Sequence, residues 1–364
     1  MKVVTVFGTR PEIIRLSRVI PLLDQFAEHQ LVHTGQNYDP QLSDVFFKDL
    51  GVRAPDVHLD VGHAPGFAAQ AAAILEKTGE LLAREKPDRL LILGDTNSGL
   101  SAIVAARLGI PVFHMEAGNR CYDDRVPEEI NRRIIDHTST VLMPYTQRSK
   151  DNLVREGIER ERIFVTGNPI FEVLRGYEQA IEASDVMTRL GVAPRGYLLA
   201  TVHRAENVDQ GPRLEQLLTG LSAAGRDCDV DVLVSLHPRT ADRMRQCGLS
   251  GGSLRLLNPL GFFDFVKLEK NARAVLSDSG TVQEECAIYG VPNVTIRDVT
   301  ERAETIECGS NVLSGAAADD VRRALAVALG TESDWTAPPE YTVPRVSRTV
   351  AKIVLGHTSV KTHR

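Results

Sequence analysis

The chain has 364 residues, more than one hydrophobic core usually serves, so two domains are expected. Hydrophobic residues make up 43% and charged residues 25%, which excludes a disordered chain, and the formal net charge of −6 argues against bulk nucleic-acid affinity. No apolar run approaches the roughly 20 residues of a membrane-spanning helix, and residues 1–12 read straight into a strand and a turn rather than a signal peptide. In chain order, apolar β-branched runs predict strands at residues 2–7, 31–34, 89–94, 111–115, 141–144 and 163–166. The second half repeats the pattern at residues 197–202, 230–236, 254–257, 274–277, 292–296 and 311–313. Runs such as LLIL and VLVSL suit strands buried on both faces, hence parallel sheets covered by helices. The first intervening stretch reads as one helix, with Pro11 early in it and Ile13, Ile14, Val19, Ile20, Leu22 and Leu23 on its apolar face. Turn residues around one helical piece mark residues 169–196 as a crossover. The expected fold is therefore α/β, two Rossmann-like doubly wound domains facing across a cleft. Their bounds are 1–168 and 197–343, followed by a C-terminal helix and tail over 344–364 that packs on either domain.

In open parallel sheets, ligands bind beyond the carboxyl ends of the strands, so the residues that follow each strand matter most. These are Gly8-Thr9-Arg10-Pro11-Glu12, Gly94-Asp95-Thr96-Asn97-Ser98 and His114-Met115-Glu116-Ala117-Gly118 in the first half. In the second they are His203-Arg204-Ala205-Glu206-Asn207, His237-Pro238-Arg239 and Asp278-Ser279-Gly280-Thr281. All six are charged or hydroxylic, which points to a polar cleft. Gly8 to Pro11 suits a phosphate site with Arg10 as cation, and equally a plain strand-to-helix turn. Ser279 before the helix at Val282 is either an N-cap or part of a pyrophosphate site at a helix N-terminus. His203 and His237 close matching strands, each with an arginine within two residues. No GxGxxG follows any strand, so no NAD cofactor is expected; Gly94 to Gly99 has P-loop glycine spacing, but Leu100 replaces its lysine. The five cysteines are odd in number, scattered and never spaced CxxC, the pattern of reduced cytoplasmic thiols without a zinc site. Asp95, Glu116 and Glu128, the last in a first helical turn with Asn131 and Arg132 on the same face, suggest proton transfer on a nucleotide-like anion.

Taken in order, these blocks resemble the non-hydrolysing UDP-N-acetylglucosamine 2-epimerases: GTRPE at 8–12, GDT at 94–96, HMEAG at 114–118, PEEINR at 127–132, HRxEN at 203–207 and DSGTxQEE at 278–285. The resemblance spans nearly the whole chain. It implies a GT-B-like fold, a UDP-sugar substrate, usually a homodimer, and no cofactor or metal. Thr34-Gly35-Gln36-Asn37-Tyr38-Asp39 and Glu116-Ala117-Gly118-Asn119-Arg120-Cys121 are most similar to the branch that forms UDP-N-acetyl-L-fucosamine, where plainer members carry leucine in place of Asn119.

The resemblance also implies a route: anti elimination of UDP gives a 2-acetamidoglycal, and UDP adds back while a proton returns to the other face. Arg10, His203, Ser279 and Gly280 then hold the diphosphate, Glu285 takes the ribose hydroxyls and Phe265 lies near the nucleoside. Asp95, Glu116 and Glu128 are the acid–base candidates beside His203, with Arg15, Arg132, His237 and Arg302 supporting. Arg302 is expected to reach over the cleft. Three departures bear on sugar identity: Arg15 for the usual lysine, Thr281 for a second glycine and Ala303 for proline. A GT-B glycosyltransferase, a hydrolysing epimerase and a non-catalytic nucleotide-sugar binder are the competing readings. Three acids at one centre argue against the first and the last.

Overall fold

The computed structural model describes residues 1–36 and 47–357. The chain divides into two compact units, one of residues 1–175 with the stretch from Glu340 onward, the other of residues 176–339. The first unit holds β1 (Lys2–Phe7), β2 (Glu28–His33), β3 (Val57–His58), β4 (Arg89–Leu93), β5 (Val112–Met115) and β6 (Val141–Met143), in the order β3-β2-β1-β4-β5-β6. The second holds β7 (Tyr197–Val202), β8 (Asp231–Leu236), β9 (Arg255–Leu257), β10 (Ala274–Ser277), β11 (Asn293–Thr295) and β12 (Asn311–Leu313), in the order β12-β11-β10-β7-β8-β9. Every pairing in both sheets is parallel. The two sheets share one winding scheme. In each, the chain starts in the middle, winds to one edge, returns and winds to the other, so the direction reverses between β1 and β4 and between β7 and β10.

The apolar runs are strands because both of their faces are covered. Val4, Val6, Leu90, Ile92 and Val112 pack against Ile74, Leu81 and Leu82 of the helix Gly66–Glu85. Leu198, Ala200, Val234 and Leu276 do the same against Leu214, Leu217 and Leu221 of the helix Gly211–Cys228. Among the described residues no helix is long and apolar enough to cross a membrane.

Four expectations change. The first helix is two, Arg10–Leu16 and Ile20–Phe26, because Pro21 lacks the amide a continuous helix needs and instead sits at the start of the second. The run at 163–166 is not a strand: Ile163 makes one isolated bridge to Leu142, and the backbone otherwise follows β6 through only Phe164 N–H to Leu142 O (2.9 Å) and Thr166 N–H to Pro144 O (3.0 Å). The two-residue β3 carries no sequence signal of its own and exists by pairing with Val32 and His33. The crossover contains three helices rather than one, Ile170–Gly176, Glu178–Ala183 and Val186–Leu190.

The C-terminal helix, Val346–Gly356, belongs to the first unit. Ser347 donates to the Glu172 carboxylate through its N–H (2.8 Å) and Oγ (2.6 Å), and Arg89 at the foot of β4 donates to the carbonyls of Val354 and His357. These bonds draw residues 340–343 and the first crossover helix into the first unit rather than the second domain or the crossover.

Candidate active site

In the first unit the reversal point gathers three strand ends. Gly8 follows β1, and a Cβ there would lie 2.1 Å from Thr34 Oγ1 and 2.3 Å from Ser98 Oγ, so only glycine lets these segments meet. Thr9 is the N-cap of the helix Arg10–Leu16, and Glu12 at N3 reaches back over it. The Glu12 carboxylate accepts from Gly8 N–H (3.0 Å), Thr9 Oγ1 (2.6 Å) and Thr96 Oγ1 (3.1 Å), tying the end of β1 to the end of β4. Burial outweighs these bonds and pushes the Glu12 carboxyl up to about 7. The folded state thus keeps a proton that the unfolded chain has already lost, and stability falls as pH rises from about 4.5 to 7. Glu12→Gln is expected to flatten that slope, read as the melting temperature between pH 5 and 7.5; an unchanged slope would show that Glu12 ionises normally.

Glu116, after β5, has a left-handed backbone (φ 66°), unusual for a side chain with a Cβ. Its N–H is held by Met143 O (3.1 Å). Its carboxylate is buried, pairs with Arg15 Nη1 at 2.7 Å, and accepts from Asn119 Nδ2 (3.2 Å) and Tyr145 OH (3.3 Å). It lies over Gly94, where a Cβ would stand 3.9 Å from Oε2. Asp95, the next residue, is half-buried and takes Arg132 Nε at 2.7 Å, while Asn131 donates to the Asp95 carbonyl (3.0 Å). Glu128 sits half-buried in the first turn of the helix Pro127–Thr138. Its neighbour Glu129 is structural, accepting from the N–H groups of Cys121 and Tyr122 (both 3.1 Å) and from Arg132 (2.7 Å).

Beneath this turn, Asp136 is fully buried. It takes Gly118 N–H (3.1 Å) and Arg120 Nη1 (2.8 Å), and faces His114 Nδ1 at 2.9 Å. Burial pushes its carboxyl up, but His114 and Arg120 outweigh that and hold it below the usual range. Gly118 itself needs φ 80°, and a Cβ there would meet Ser149 O at 2.3 Å. The Glu116 turn therefore has a rigid support.

The second unit repeats the plan. Asp278, after β10, is fully buried and accepts from the N–H groups of His203 and Arg204 (both 2.9 Å), from Asn207 Nδ2 (3.1 Å) and from His203 Nδ1 (2.8 Å). The His203 ring is thereby held through Nδ1. Burial raises the Asp278 carboxyl, but His203 and the two amides win and hold it well below the usual carboxylate range. Ser279 is in the N-cap position of the helix Gly280–Tyr289 without a capping bond; its hydroxyl meets Thr281 Oγ1 at 3.0 Å. Of the two sequence readings, the side-chain cap is therefore not made.

Some expected ligands have other surroundings. His237 lies 6.0 Å from His203, ring centre to ring centre, but its Nδ1 accepts Arg239 N–H (3.2 Å) as a helix cap. Phe265 packs against the core formed by Tyr197, Leu199 and Leu268. Arg302 does not project from its loop: it is buried, paired with Glu284, and within 3.7 Å of where a Gly280 Cβ would be. Glu285 is buried beside Glu269. Arg10 is half-buried at the head of its helix. Of the block 34–39, Asn37, Tyr38 and Asp39 lie outside the described residues. Sequence reasoning assigned no role to Glu12, Asn119, Asp136, Tyr145, Asp278 or Glu269. Only two carried a local signal, the Thr9-x-x-Glu12 capping pattern and the acid that closes the β10 run.

Comparison with known proteins agrees with this layout. A family profile described as UDP-N-acetylglucosamine 2-epimerase matches residues 23–355. The UDP-N-acetylglucosamine 2-epimerase of Methanocaldococcus jannaschii is 38% identical over 93% of this chain and 95% of its own. Its crystal structure in complex with UDP-GlcNAc and UDP superposes with a TM-score of 0.92 at 37% identity, covering 97% of this chain and 99% of that one. The UDP-2,3-diacetamido-2,3-dideoxy-D-glucuronate 2-epimerase of Pseudomonas aeruginosa is 36% identical over 91% of this chain and 93% of its own. The glycosyltransferase WaaG, at 14% identity and a TM-score of 0.61 over 98% of this chain and 100% of its own, shares the fold alone. With two doubly wound units in the GT-B-like manner and relatives matched along almost all of its length, the chain belongs to the non-hydrolysing UDP-N-acetylglucosamine 2-epimerase family, whose members are isomerases.

Proposed function

We propose that this chain interconverts UDP-GlcNAc and UDP-ManNAc by anti elimination of UDP to a 2-acetamidoglycal and its re-addition, supplying activated aminosugars for glycoconjugates. The observation that carries the reading is the buried Glu116 carboxylate, braced by Arg15 over Gly94, the residue that precedes Asp95. Carbon 2 of an aminosugar is a very weak acid, so its proton moves only as UDP departs. That calls for positioned carboxyl groups, here Glu116 with Asp95 and Glu128, the first unit serving the sugar. Departing UDP gathers negative charge, which favours cations and helix dipoles fixed in advance. Arg10, His203, Ser279 and Gly280 take the diphosphate in this reading, Glu285 the ribose hydroxyls, and Phe265 borders the nucleoside, the second unit serving UDP. Arg132 supports Asp95, Arg302 stands beside Gly280, and His237 adjoins His203. A homodimer and a cytoplasmic setting belong to the same proposal; the five free cysteines support the second.

A 6-deoxy or otherwise modified sugar, as in the UDP-N-acetyl-L-fucosamine branch, is the second reading. Asn119 favours it, because that side chain bonds directly to Glu116 where plainer family members carry leucine.

Proton NMR with UDP-GlcNAc in deuterium oxide tests both. Deuterium at carbon 2 together with UDP-ManNAc is the expected result. Free N-acetylmannosamine would instead mean that water captures the intermediate. A blank with UDP-GlcNAc but turnover of the 6-deoxy-talose nucleotide would select the second reading, and a blank with both would overturn the function.

A further inference from the structure

Asn119 follows the Glu116 turn, and that turn lies against the helix Gln147–Arg155. Gly118 makes the approach possible: with φ 80° and no side chain it sits beside the Ser149 carbonyl, and Asn152 Nδ2 donates to the Gly118 carbonyl at 3.0 Å. Thr146 caps the helix, its Oγ1 accepting Ser149 N–H at 3.1 Å. Ser149 thus stands at N3, the place from which a glutamate or glutamine often turns back to the cap. Its hydroxyl turns instead to Asn119, donating to Oδ1 at 3.0 Å while accepting from Thr146 Oγ1 at 3.2 Å. Asn119 Nδ2 then donates to Glu116 Oε1 at 3.2 Å. All four residues of this chain of bonds are buried.

The chain runs in one direction. An amide turned the other way would set Asn119 Oδ1 against the carboxylate that pairs with Arg15, two acceptors in contact. Donation from Ser149 therefore decides which end of the amide Glu116 meets. We propose that Ser149 is a positioning residue for Glu116: by donating to Asn119 Oδ1 it fixes the amide whose N–H holds the Glu116 carboxylate in line for proton transfer. The inference rests on the proton-transfer role given to Glu116 above. Arg15 (2.7 Å) and Tyr145 (3.3 Å) hold Oε2, so the Asn119 bond to Oε1 stops the carboxylate turning about its last bond. Misalignment of such a group costs rate. UDP is assigned to the second unit, so its binding does not depend on this brace.

Deuterium uptake at carbon 2 reads kcat and calorimetric titration reads UDP affinity, on variants of the full chain. The substrate is UDP-GlcNAc, or the 6-deoxy-talose nucleotide where the parent turns over only that. Ser149→Ala removes the hydroxyl but keeps the N–H that Thr146 caps; kcat is expected to fall about 5-fold with UDP affinity unchanged. Asn119→Leu, similar in volume, removes a donor to a charged group, and a fall of about 10-fold is expected. The double variant is expected to match Asn119→Leu, because Ser149 acts through the amide, and a cycle of this kind isolates that coupling. A merely structural serine would lower the melting temperature in either background and leave kcat alone. Parent-level kcat in Ser149→Ala, losses that multiply in the double variant, or UDP affinity falling in step with kcat each overturn the proposal. Glu116→Gln separates the two levels. If it keeps the parent rate, the role of Glu116 fails and this inference with it. If it loses rate while Ser149→Ala and Asn119→Leu do not, only the positioning role fails.

Discussion

Glu116→Gln is expected to lower kcat by about 10³-fold, within the range that loss of a positioned acid or base costs, while UDP binding persists. The side chain keeps its shape, but its amide offers one acceptor oxygen where Asn119 and Tyr145 donate to two, and it no longer exchanges a proton. A second effect accompanies the first. Arg15 is 4% exposed and its Nη1 is 2.7 Å from the Glu116 carboxylate, so the variant leaves a buried guanidinium facing a neutral amide. Breaking such a pair costs about 3 kcal/mol of stability. Activity is read as deuterium uptake at carbon 2, and stability from urea unfolding. A variant within tenfold of the parent rate would remove Glu116 from the chemistry, whatever its stability. Loss of stability with normal turnover would make the Arg15 pair purely structural.

Asp278→Ala is expected to damage both folding and catalysis in the second unit. It strips the acceptor from two backbone amides, from Asn207 and from the His203 ring at once. A buried donor left unsatisfied costs about 1–3 kcal/mol, and these losses overlap because they share one carboxylate. A net loss of about 4 kcal/mol follows, together with a fall in kcat of about 100-fold from a His203 free to turn. The acid limb of stability supplies an independent readout. The folded carboxyl titrates below its unfolded value, so below about pH 4 the unfolded chain binds the proton first and stability drops with falling pH. Asp278→Asn removes that contribution, and its melting temperature is expected to decline less steeply between pH 5 and 3. An identical acid limb in parent and variant would show that Asp278 is not the titrating group.

The strands at Lys2–Phe7, Tyr197–Val202 and Ala274–Ser277 were legible to the residue, because a strand covered on both faces leaves a largely apolar run. Residues 163–166 have the same composition and make only one bridge, while Val57–His58 has no such run and pairs nonetheless. Apolar content records burial, and burial alone does not say which backbone lies at hydrogen-bonding distance. The sequence by itself also marked the candidate positions for the proposed chemistry, since in parallel α/β sheets the polar residues ending each strand gather along one edge. It thereby named Asp95, Glu116, His203 and Ser279. What each group is bonded to, only the tertiary structure decided. Arg15 meets Glu116 across 101 positions and Asp278 meets His203 across 75. Glu12, Asp136 and Glu269 read in the chain as ordinary helical acids. Their protonation follows from desolvation and from the neighbours that folding brings to them, and neither is a property of local sequence.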